Sequence, residues 1–241
     1  MTNTVDYEEI QQFSKDAGRW WDENGPFKPL HALNPVRLSY IKTQICEHFG
    51  RDAAALTALE GLDILDVGCG GGLVCEPLAR LGANVTGVDA DGVAIEVARE
   101  HAEVGDLDIT YHNKPVEEIE KQFDVVLALE IIEHVAEPAA FVQSISKLMK
   151  PEGLAIFSTL NRNPKSFLLG IVAAEYILRW VPHGTHSWKK FVRPSELSRM
   201  ARGAGLKPQD ITGLVFNPVK NEFALSKSDL DVNYLLACKK G

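Results

Sequence analysis

The alternation of strand-like and helix-like segments between residues 62 and 160 constrains the fold of this 241-residue chain more than any other feature. Five short apolar runs are separated by stretches long enough for a helix, namely DILDVG, NVTGVD, DITYH, FDVVLALE and LAIFSTL. Parallel strands need such crossovers, which are right-handed and cover both faces of the sheet. The pattern predicts an α/β fold with a mostly parallel, Rossmann-like sheet, continued by terminal strands near Lys207–Gly213 and Val232–Cys238.

The first predicted strand runs into a glycine-rich stretch, Ile64–Gly72 (ILDVGCGGG). A dinucleotide fingerprint, G-x-G-x-x-G, counted from Gly68 and Gly70 would need a glycine where the chain has Leu73. The spacing is instead D-x-G-x-G-x-G, beginning at Asp66. Glycines allow close approach of the backbone, and a following helix points its amides at an anionic ligand. A smaller ligand with a carboxylate, S-adenosylmethionine, is therefore the candidate cofactor.

Asp89 ends the second predicted strand, at the edge of the sheet where ligands of parallel folds bind. Its carboxylate could accept hydrogen bonds from both ribose hydroxyls of the cofactor. The alternative is a helix N-cap, a frequent role for aspartate. The glycine spacing at the end of the neighbouring strand favours ribose binding.

Charge and cysteine usage limit the partners and the compartment. The chain has 33 acidic and 25 basic residues, a net charge of −8, so we expect no nucleic acid as main substrate. The four cysteines form no C-x-x-C pair, and the first residues are polar without an apolar signal core. No apolar run reaches the ~20 residues that span a bilayer. These features predict a cytoplasmic protein.

Several motifs resemble those of class I S-adenosylmethionine-dependent methyltransferases, namely LDVGCGGG, VTGVD, LEIIEHV and LMKPEGLAIFSTLNRN. Flanking segments are similar to the ubiquinone-biosynthesis O-methyltransferases, namely RWWDENGPFKPLHALNPVRLSYI, AAEYILRWVPHGTHSWKKF, ITGLVFNP and DVNY. The resemblance implies a class I methyltransferase fold with a seven-stranded sheet and an antiparallel last strand. It implies one domain over residues 1–241, divided into an N-terminal helical segment (6–50), a cofactor-binding core (62–160), a helical insertion or lid (161–205) and terminal strands (206–241). Within the first segment, a second helix is predicted near Pro35–Phe49.

The resemblance also implies an activity and a set of cofactor contacts. The methyl group of S-adenosylmethionine would pass to a hydroxyl of polyprenylated phenols and catechols (2-polyprenyl-6-hydroxyphenol and 3-demethylubiquinol), leaving S-adenosylhomocysteine. Cofactor contacts would lie at Arg37, Gly68, Gly70, Asp89 and Leu129. The planar guanidinium of Arg37 suits the methionine carboxylate of the cofactor, and the alternative is a structural ion pair. For Leu129, the alternative is a residue of the hydrophobic core. A ubiquinone-biosynthesis protein complex is a possible partner.

The motif LEIIEHV places Glu130, Glu133 and His134 at positions i, i+3 and i+4. If the chain turns helical after the fourth strand, these side chains share a face and could bind Mg²⁺, which a catechol could also ligate. Acidic residues at a helix start are the structural alternative. Without a metal, His134 is the candidate catalytic base, or His186 in that role.

An apolar segment, Phe167–Val181, is followed by the basic residues Lys189, Lys190 and Arg193. At 15 residues it is too short to span a bilayer, but it could lie at an anionic membrane surface as a peripheral anchor. The alternative is a lid that only completes the pocket.

Two other functions fit parts of the pattern. A small-molecule N- or carboxyl-methyltransferase would share the cofactor motifs. A non-catalytic scaffold of a membrane-associated assembly would share the fold, but it would not need the glycine loop, Asp89 and the acidic–histidine triplet together.

Overall fold

The computed structural model describes residues 14–167 and 188–241. Its centre is an eight-stranded sheet in the order β3-β2-β1-β4-β5-β8-β6-β7. The strands are β1 (Asp63–Val67), β2 (Asn84–Asp89), β3 (Ile109–Asn113), β4 (Phe123–Leu129), β5 (Met149–Leu160), β6 (Leu206–Asn217), β7 (Glu222–Ser226) and β8 (Asn233–Lys240). Strands β1 to β5 pair in parallel, and β8 runs antiparallel between β5 and β6. The predicted fold class and the antiparallel last strand are confirmed.

The sheet has one strand more than the seven that we expected. Strand β7 folds back on β6 as an antiparallel hairpin after a turn in which Asn221 adopts a left-handed φ of 54°. Strand β7 has no clear pattern in the sequence, because three of its five residues are exposed and it lies at the edge of the sheet. An edge hairpin of this kind has no buried apolar run to mark it.

Helices cover the sheet, and their bounds are α1 (Lys28–Phe49), α2 (Cys75–Arg80), α3 (Gly92–Val104), α4 (Pro138–Lys147) and α5 (Pro194–Gly203). Helix α1 begins a full two turns before Pro35, where the sequence suggested its start. Proline favours helix starts, but here the helix already has Pro29 in its first turn and continues through Pro35. The extra turns matter, because they carry residues that contact the glycine loop.

The two faces of the sheet are packed by different helices, and alternate residues of each strand point to opposite faces. On β5, Leu154 and Ile156 belong to the core shared with α1, α2 and α3, which we call the α1 face. Ala155 and Phe157 belong to the core shared with α4 and α5, the α4 face. This division decides which predicted site residues can meet.

The segment predicted as a helical insertion is only partly described. It contains single helical turns at Pro164–Ser166 and Trp188–Lys190 and then α5. The proposed membrane segment Phe167–Val181 lies, except for Phe167, outside the described residues, as does His186. Across the ranges 14–167 and 188–241, no helix combines the length and the apolar character needed to cross a membrane. The single-domain organisation stays a prediction.

Candidate active site

The glycine loop leaves β1 through three glycines with left-handed backbones. Gly68, Gly70 and Gly72 have φ values of 73°, 51° and 85°, a region that other residues enter only at a cost. The Gly68 amide donates to the Val88 carbonyl at 2.8 Å, which ties the loop to the end of β2. The predicted D-x-G-x-G-x-G spacing therefore corresponds to a real backbone requirement at each of its glycines.

Asp89 fastens the loop to the end of β2. Its carboxylate accepts the Gly70 amide at one oxygen and the Asp91 amide at the other, each at 2.8 Å. The N-cap of α3 is Asp91, whose side chain accepts from the Val93 amide at 3.0 Å, so the N-cap alternative for Asp89 is wrong. A carboxylate has about four acceptor sites, and two remain for a ligand. Burial raises the pKa of Asp89, and the amide hydrogen bonds oppose the shift.

Arg37 is buried on the α1 face with its guanidinium only partly used. Its side chain donates to Asn34 at 2.9 Å, while its buried Nε has no partner. Burial lowers the pKa of Arg37, and the charges of Glu130 and Asp66 oppose that shift. Within the described part of the chain, Arg37 forms no ion pair, so the structural alternative has no support. A planar donor fork with a free Nε–H suits a carboxylate ligand.

Asn34 connects Arg37 to the glycine loop. Its amide accepts from Arg37 and donates to the Leu73 carbonyl at 2.8 Å. Asn34 is not among the predicted site residues, because it lies one residue before the predicted start of this helix at Pro35. Asp66, also on the α1 face, is 2% exposed, and burial raises its pKa to about 6.

Two tryptophans before α1 cover the glycine loop, and the sequence analysis assigned neither. A Cβ at Gly70 would lie 2.4 Å from the Trp20 ring, and one at Gly71 would lie 2.5 Å from Trp20. Gly71 has no left-handed φ, so the approach of Trp20 is the reason for glycine there. Trp21 donates from Nε1 to the Gly71 carbonyl at 3.0 Å and stacks on His101 with centroids 3.5 Å apart. We call residues 20–21 the tryptophan strap.

The end of β4 turns abruptly at Glu130, whose φ of 52° is unusual for a residue with a side chain. The Glu130 amide donates to the Ser158 carbonyl at 3.0 Å, and the Ser158 hydroxyl donates to Oε1 at 2.6 Å. The Asn233 amide donates to both carboxylate oxygens at 3.1 Å. Strands β5 and β8 therefore hold Glu130 on the α1 face, near Arg37.

Glu133 goes to the opposite face of the sheet. Its Oε2 accepts from the Thr159 hydroxyl at 2.7 Å, and its Oε1 is buried without a partner. Ser158 and Thr159 are consecutive on β5, so their side chains point to different faces of the sheet. Ser158 donates a hydrogen bond to Glu130, and Thr159 donates one to Glu133. Burial and the charge of Glu130 raise the pKa of Glu133 to about 7, and His134 opposes that shift.

The three predicted metal ligands therefore do not assemble as the helical spacing suggested. The left-handed turn at Glu130 precedes a single turn of 3₁₀ helix, Ile132–His134, instead of a continuous α-helix. Across the described ranges, no group of three or more His, Cys, Asp or Glu side chains is arranged to hold a metal ion. His134 is partly exposed at the end of the turn, and its amide donates to the Ile131 carbonyl at 2.9 Å.

Leu129 is 7% exposed and packs in the core of the α1 face. It ends β4, one residue before Glu130, so its backbone borders the crevice. The structure thus gathers Arg37, Gly68, Gly70, Asp89 and Glu130 at the ends of β1, β2 and β4.

Comparison with known proteins agrees with this geometry. A family profile described as a methyltransferase domain matches residues 39–210. The ubiquinone biosynthesis O-methyltransferase of Dinoroseobacter shibae is 50% identical over 98% of this chain and 96% of its own length. That of Cereibacter sphaeroides (strain ATCC 17025) is 52% identical over 98% of this chain and 97% of its own length. The chain belongs to the ubiquinone biosynthesis O-methyltransferase family.

Solved structures confirm the methyltransferase fold of this family member. A magnesium protoporphyrin IX methyltransferase from Synechocystis PCC 6803, with bound S-adenosylmethionine, aligns over all of both chains with a TM-score of 0.65 and 14% identity. A possible histamine N-methyltransferase from Thermotoga maritima aligns over 98% of this chain and all of its own, with a TM-score of 0.64 and 14% identity. At these identities the likeness concerns the fold.

Proposed function

We propose that this protein transfers the methyl group of S-adenosylmethionine to a ring hydroxyl of polyprenylated ubiquinone precursors. The proposed acceptors are 2-polyprenyl-6-hydroxyphenol and 3-demethylubiquinol. The observation that carries the proposal is an identity of 50–52% to ubiquinone biosynthesis O-methyltransferases over 98% of the chain. The crevice supports it, because Arg37, the glycine loop and Asp89 meet at one edge of the sheet.

The cofactor would lie along the glycine loop on the α1 face. Its carboxylate would take the unpartnered Nε–H of Arg37, whose orientation Asn34 fixes. The ribose hydroxyls would donate to the two remaining acceptor sites of Asp89, and the adenosine would border Leu129. When bound, S-adenosylmethionine supplies a methyl group on a positively charged sulfur, a good leaving group.

The protein's own contribution to the transfer is positioning, exclusion of water and removal of one proton. For transfer from bound S-adenosylmethionine, the crevice would have to hold the phenolic oxygen in line with the carbon–sulfur bond that would break as the new carbon–oxygen bond forms. The phenolic proton must leave, because a neutral phenol, with a pKa of about 10, is a weak nucleophile. His134 is the proposed base, since it is partly exposed beside the end of β4.

Dependence on Mg²⁺ is the other hypothesis from the sequence. The donors do not fit it well, because Glu130 is bound by Ser158 and Asn233 while Glu133 is buried on the opposite face. A turnover assay in excess chelator tests it. Full activity leaves His134 as base, whereas loss of activity that Mg²⁺ restores would require the end of β4 to rearrange around the ion.

We further propose that the protein works at the surface of an anionic membrane, from which a polyprenyl tail must enter. Lys189, Lys190 and Arg193 are exposed, and near them lies a groove of about 540 Å³. The groove is lined in part by Pro164, Trp188 and Pro194, which offer apolar surface at the end of β5. Sedimentation with anionic but not neutral liposomes, weakened by salt, is the expected result. If the protein does not bind anionic liposomes even at low salt, the segment acts only as a lid over the pocket and does not contact a membrane.

We also propose a complex with other ubiquinone-biosynthesis proteins, on the basis of family membership alone.

The decisive experiment is methyl transfer from labelled S-adenosylmethionine to a short-tailed catechol by the purified protein. We expect a methyl ether of the catechol and S-adenosylhomocysteine in equal amounts. Methylation of amines or carboxylic acids but not of catechols would favour the small-molecule N- or carboxyl-methyltransferase. Cofactor binding without any transfer would favour the scaffold.

A further inference from the structure

We propose that Asn233, the first residue of β8, is a positioning and substrate-binding residue of the acceptor site. Its amide nitrogen holds Glu130, and its amide oxygen accepts a hydrogen bond from the substrate hydroxyl next to the one that is methylated. The inference rests on the proposed function, because it requires an aromatic ring with two adjacent hydroxyls.

The orientation of the Asn233 amide is fixed by its partner. Its nitrogen lies 3.1 Å from both carboxylate oxygens of Glu130. Because a carboxylate can only accept, the NH₂ group must face it, which settles the assignment of the amide. The oxygen Oδ1 consequently lies on the other side of the amide, where it is buried and has no hydrogen-bond partner.

A buried amide oxygen without a donor costs free energy comparable to a lost hydrogen bond. The same amide holds Glu130, whose left-handed φ of 52° also costs conformational free energy. Five hydrogen bonds hold Glu130 in that turn, three with Ser158 and two from Asn233. Two unfavourable features therefore lie side by side at the edge of the sheet where β4 ends and β8 begins, as is typical of sites whose geometry serves a ligand.

The adjacent hydroxyl is the donor that fits Oδ1. The reacting hydroxyl loses its proton and must face the sulfonium methyl, so it cannot donate to Asn233 during transfer. Its neighbour keeps its proton throughout and can donate. A site with a buried polar group discriminates strongly against an analogue that lacks the matching group, so a monohydric phenol should bind poorly.

Binding to the complex with S-adenosylhomocysteine tests this without turnover. Dissociation constants are measured by calorimetry for a short-tailed catechol and the phenol that lacks the second hydroxyl, in excess chelator so that metal ligation cannot favour the catechol. We expect the wild type to prefer the catechol at least ~10-fold, the equivalent of one hydrogen bond. Asn233→Leu should bring the ratio close to one, because the catechol loses its hydrogen bond to Oδ1, whereas any effect of releasing Glu130 is common to both ligands.

Ser158→Ala is the matched control, because it removes both contacts of the Ser158 hydroxyl to Glu130 while leaving Asn233 Oδ1 in place. It should keep the catechol preference even if both affinities fall. Affinity for S-adenosylhomocysteine and the thermal midpoint report whether each variant is folded. The wild-type ratio is itself a test that needs no variant, since equal binding of catechol and phenol overturns the inference.

The outcomes separate this inference from the proposed function. If the wild type neither binds nor methylates a catechol, the proposed function fails and the inference with it. If it methylates the catechol but Asn233→Leu lowers both affinities by the same factor, only the inference fails.

Discussion

The crevice has two halves that the chain builds in different ways. The cofactor half, at the ends of β1 and β2, is centred on the left-handed turns of one glycine loop, which Asp89 holds from the end of the neighbouring strand. The acceptor half, at the ends of β4, β5 and β8, is made of side chains more than 25 residues apart in sequence. A local pattern can specify the first half, whereas only the pairing of strands specifies the second.

Replacing Asp89 by alanine should cause the largest loss in the cofactor half. The change removes two proposed hydrogen bonds to ribose and releases the Gly70 amide. Each hydrogen bond to a charged group contributes about 1.5–3 kcal/mol, so calorimetric titration with S-adenosylhomocysteine should show at least ~100-fold weaker binding. Binding of NAD(H) by the wild type in place of S-adenosylhomocysteine would contradict the assignment of this half.

The tryptophan strap should make the cofactor half sensitive to one methyl group. In Gly71→Ala the new Cβ would lie 2.5 Å from Trp20, so the strap must move, at a cost of about 1–3 kcal/mol. We expect a lower thermal midpoint and altered tryptophan fluorescence. In a Trp20→Ala background, Gly71→Ala should have little further effect, because the clash disappears.

Gly203→Ala is the matched control for the strap, since no atom lies within 4 Å of a Cβ at that position. Gly203 ends α5 far along the chain from the loop. A stability loss at Gly203 equal to that at Gly71 would show that the strap is not the cause.

Glu133→Gln tests whether Glu133 lies outside the acceptor half. Its position on the α4 face of the sheet indicates that it does. The pKa of Glu133 is raised from 4.5 to about 7, so the folded state binds its proton more tightly than the unfolded chain. Wild-type stability should therefore fall as pH rises from about 4.5 to about 7, and then level off. Glutamine carries no charge, so the variant should lack this decline and be more stable at pH 8 by about 3 kcal/mol.

Denaturant unfolding across that pH range measures the effect, with Glu137→Gln, an exposed neighbour, as control. Turnover should change little. If Glu133→Gln instead abolishes turnover without changing the pH profile of stability, Glu133 acts in the reaction and the metal hypothesis regains support.

The contrast between the halves explains what the sequence could predict. The positions of the strands, the glycine loop and Asp89 could be predicted, because each is encoded within a few consecutive residues. Glu130 and Glu133 were assigned to one face by helical spacing, but a left-handed residue at the strand end and alternation along β5 sent them to opposite faces. Trp20, Asn34 and Asn233 could not be assigned from spacing, because their roles depend on strands and loops distant in sequence. Gly71 is the one local sign of the close approach of Trp20, because the D-x-G-x-G-x-G spacing does not require a glycine at that position.

The smallest expected effect separates two aspartates that lie two residues apart in the cofactor half. Asp91 caps α3 through the Val93 amide, and its contact with Asp89 is made by its backbone, which a side-chain change leaves intact. Asp91→Ala should therefore lower the free energy of unfolding by ~1 kcal/mol, the usual cost of a lost cap. Affinity for S-adenosylhomocysteine should stay within about twofold of the wild type, against the ~100-fold loss for Asp89→Ala. Equal loss of affinity in both variants would mean that the helix start, rather than the Asp89 carboxylate, binds the cofactor, and the division of labour between the two residues would be wrong.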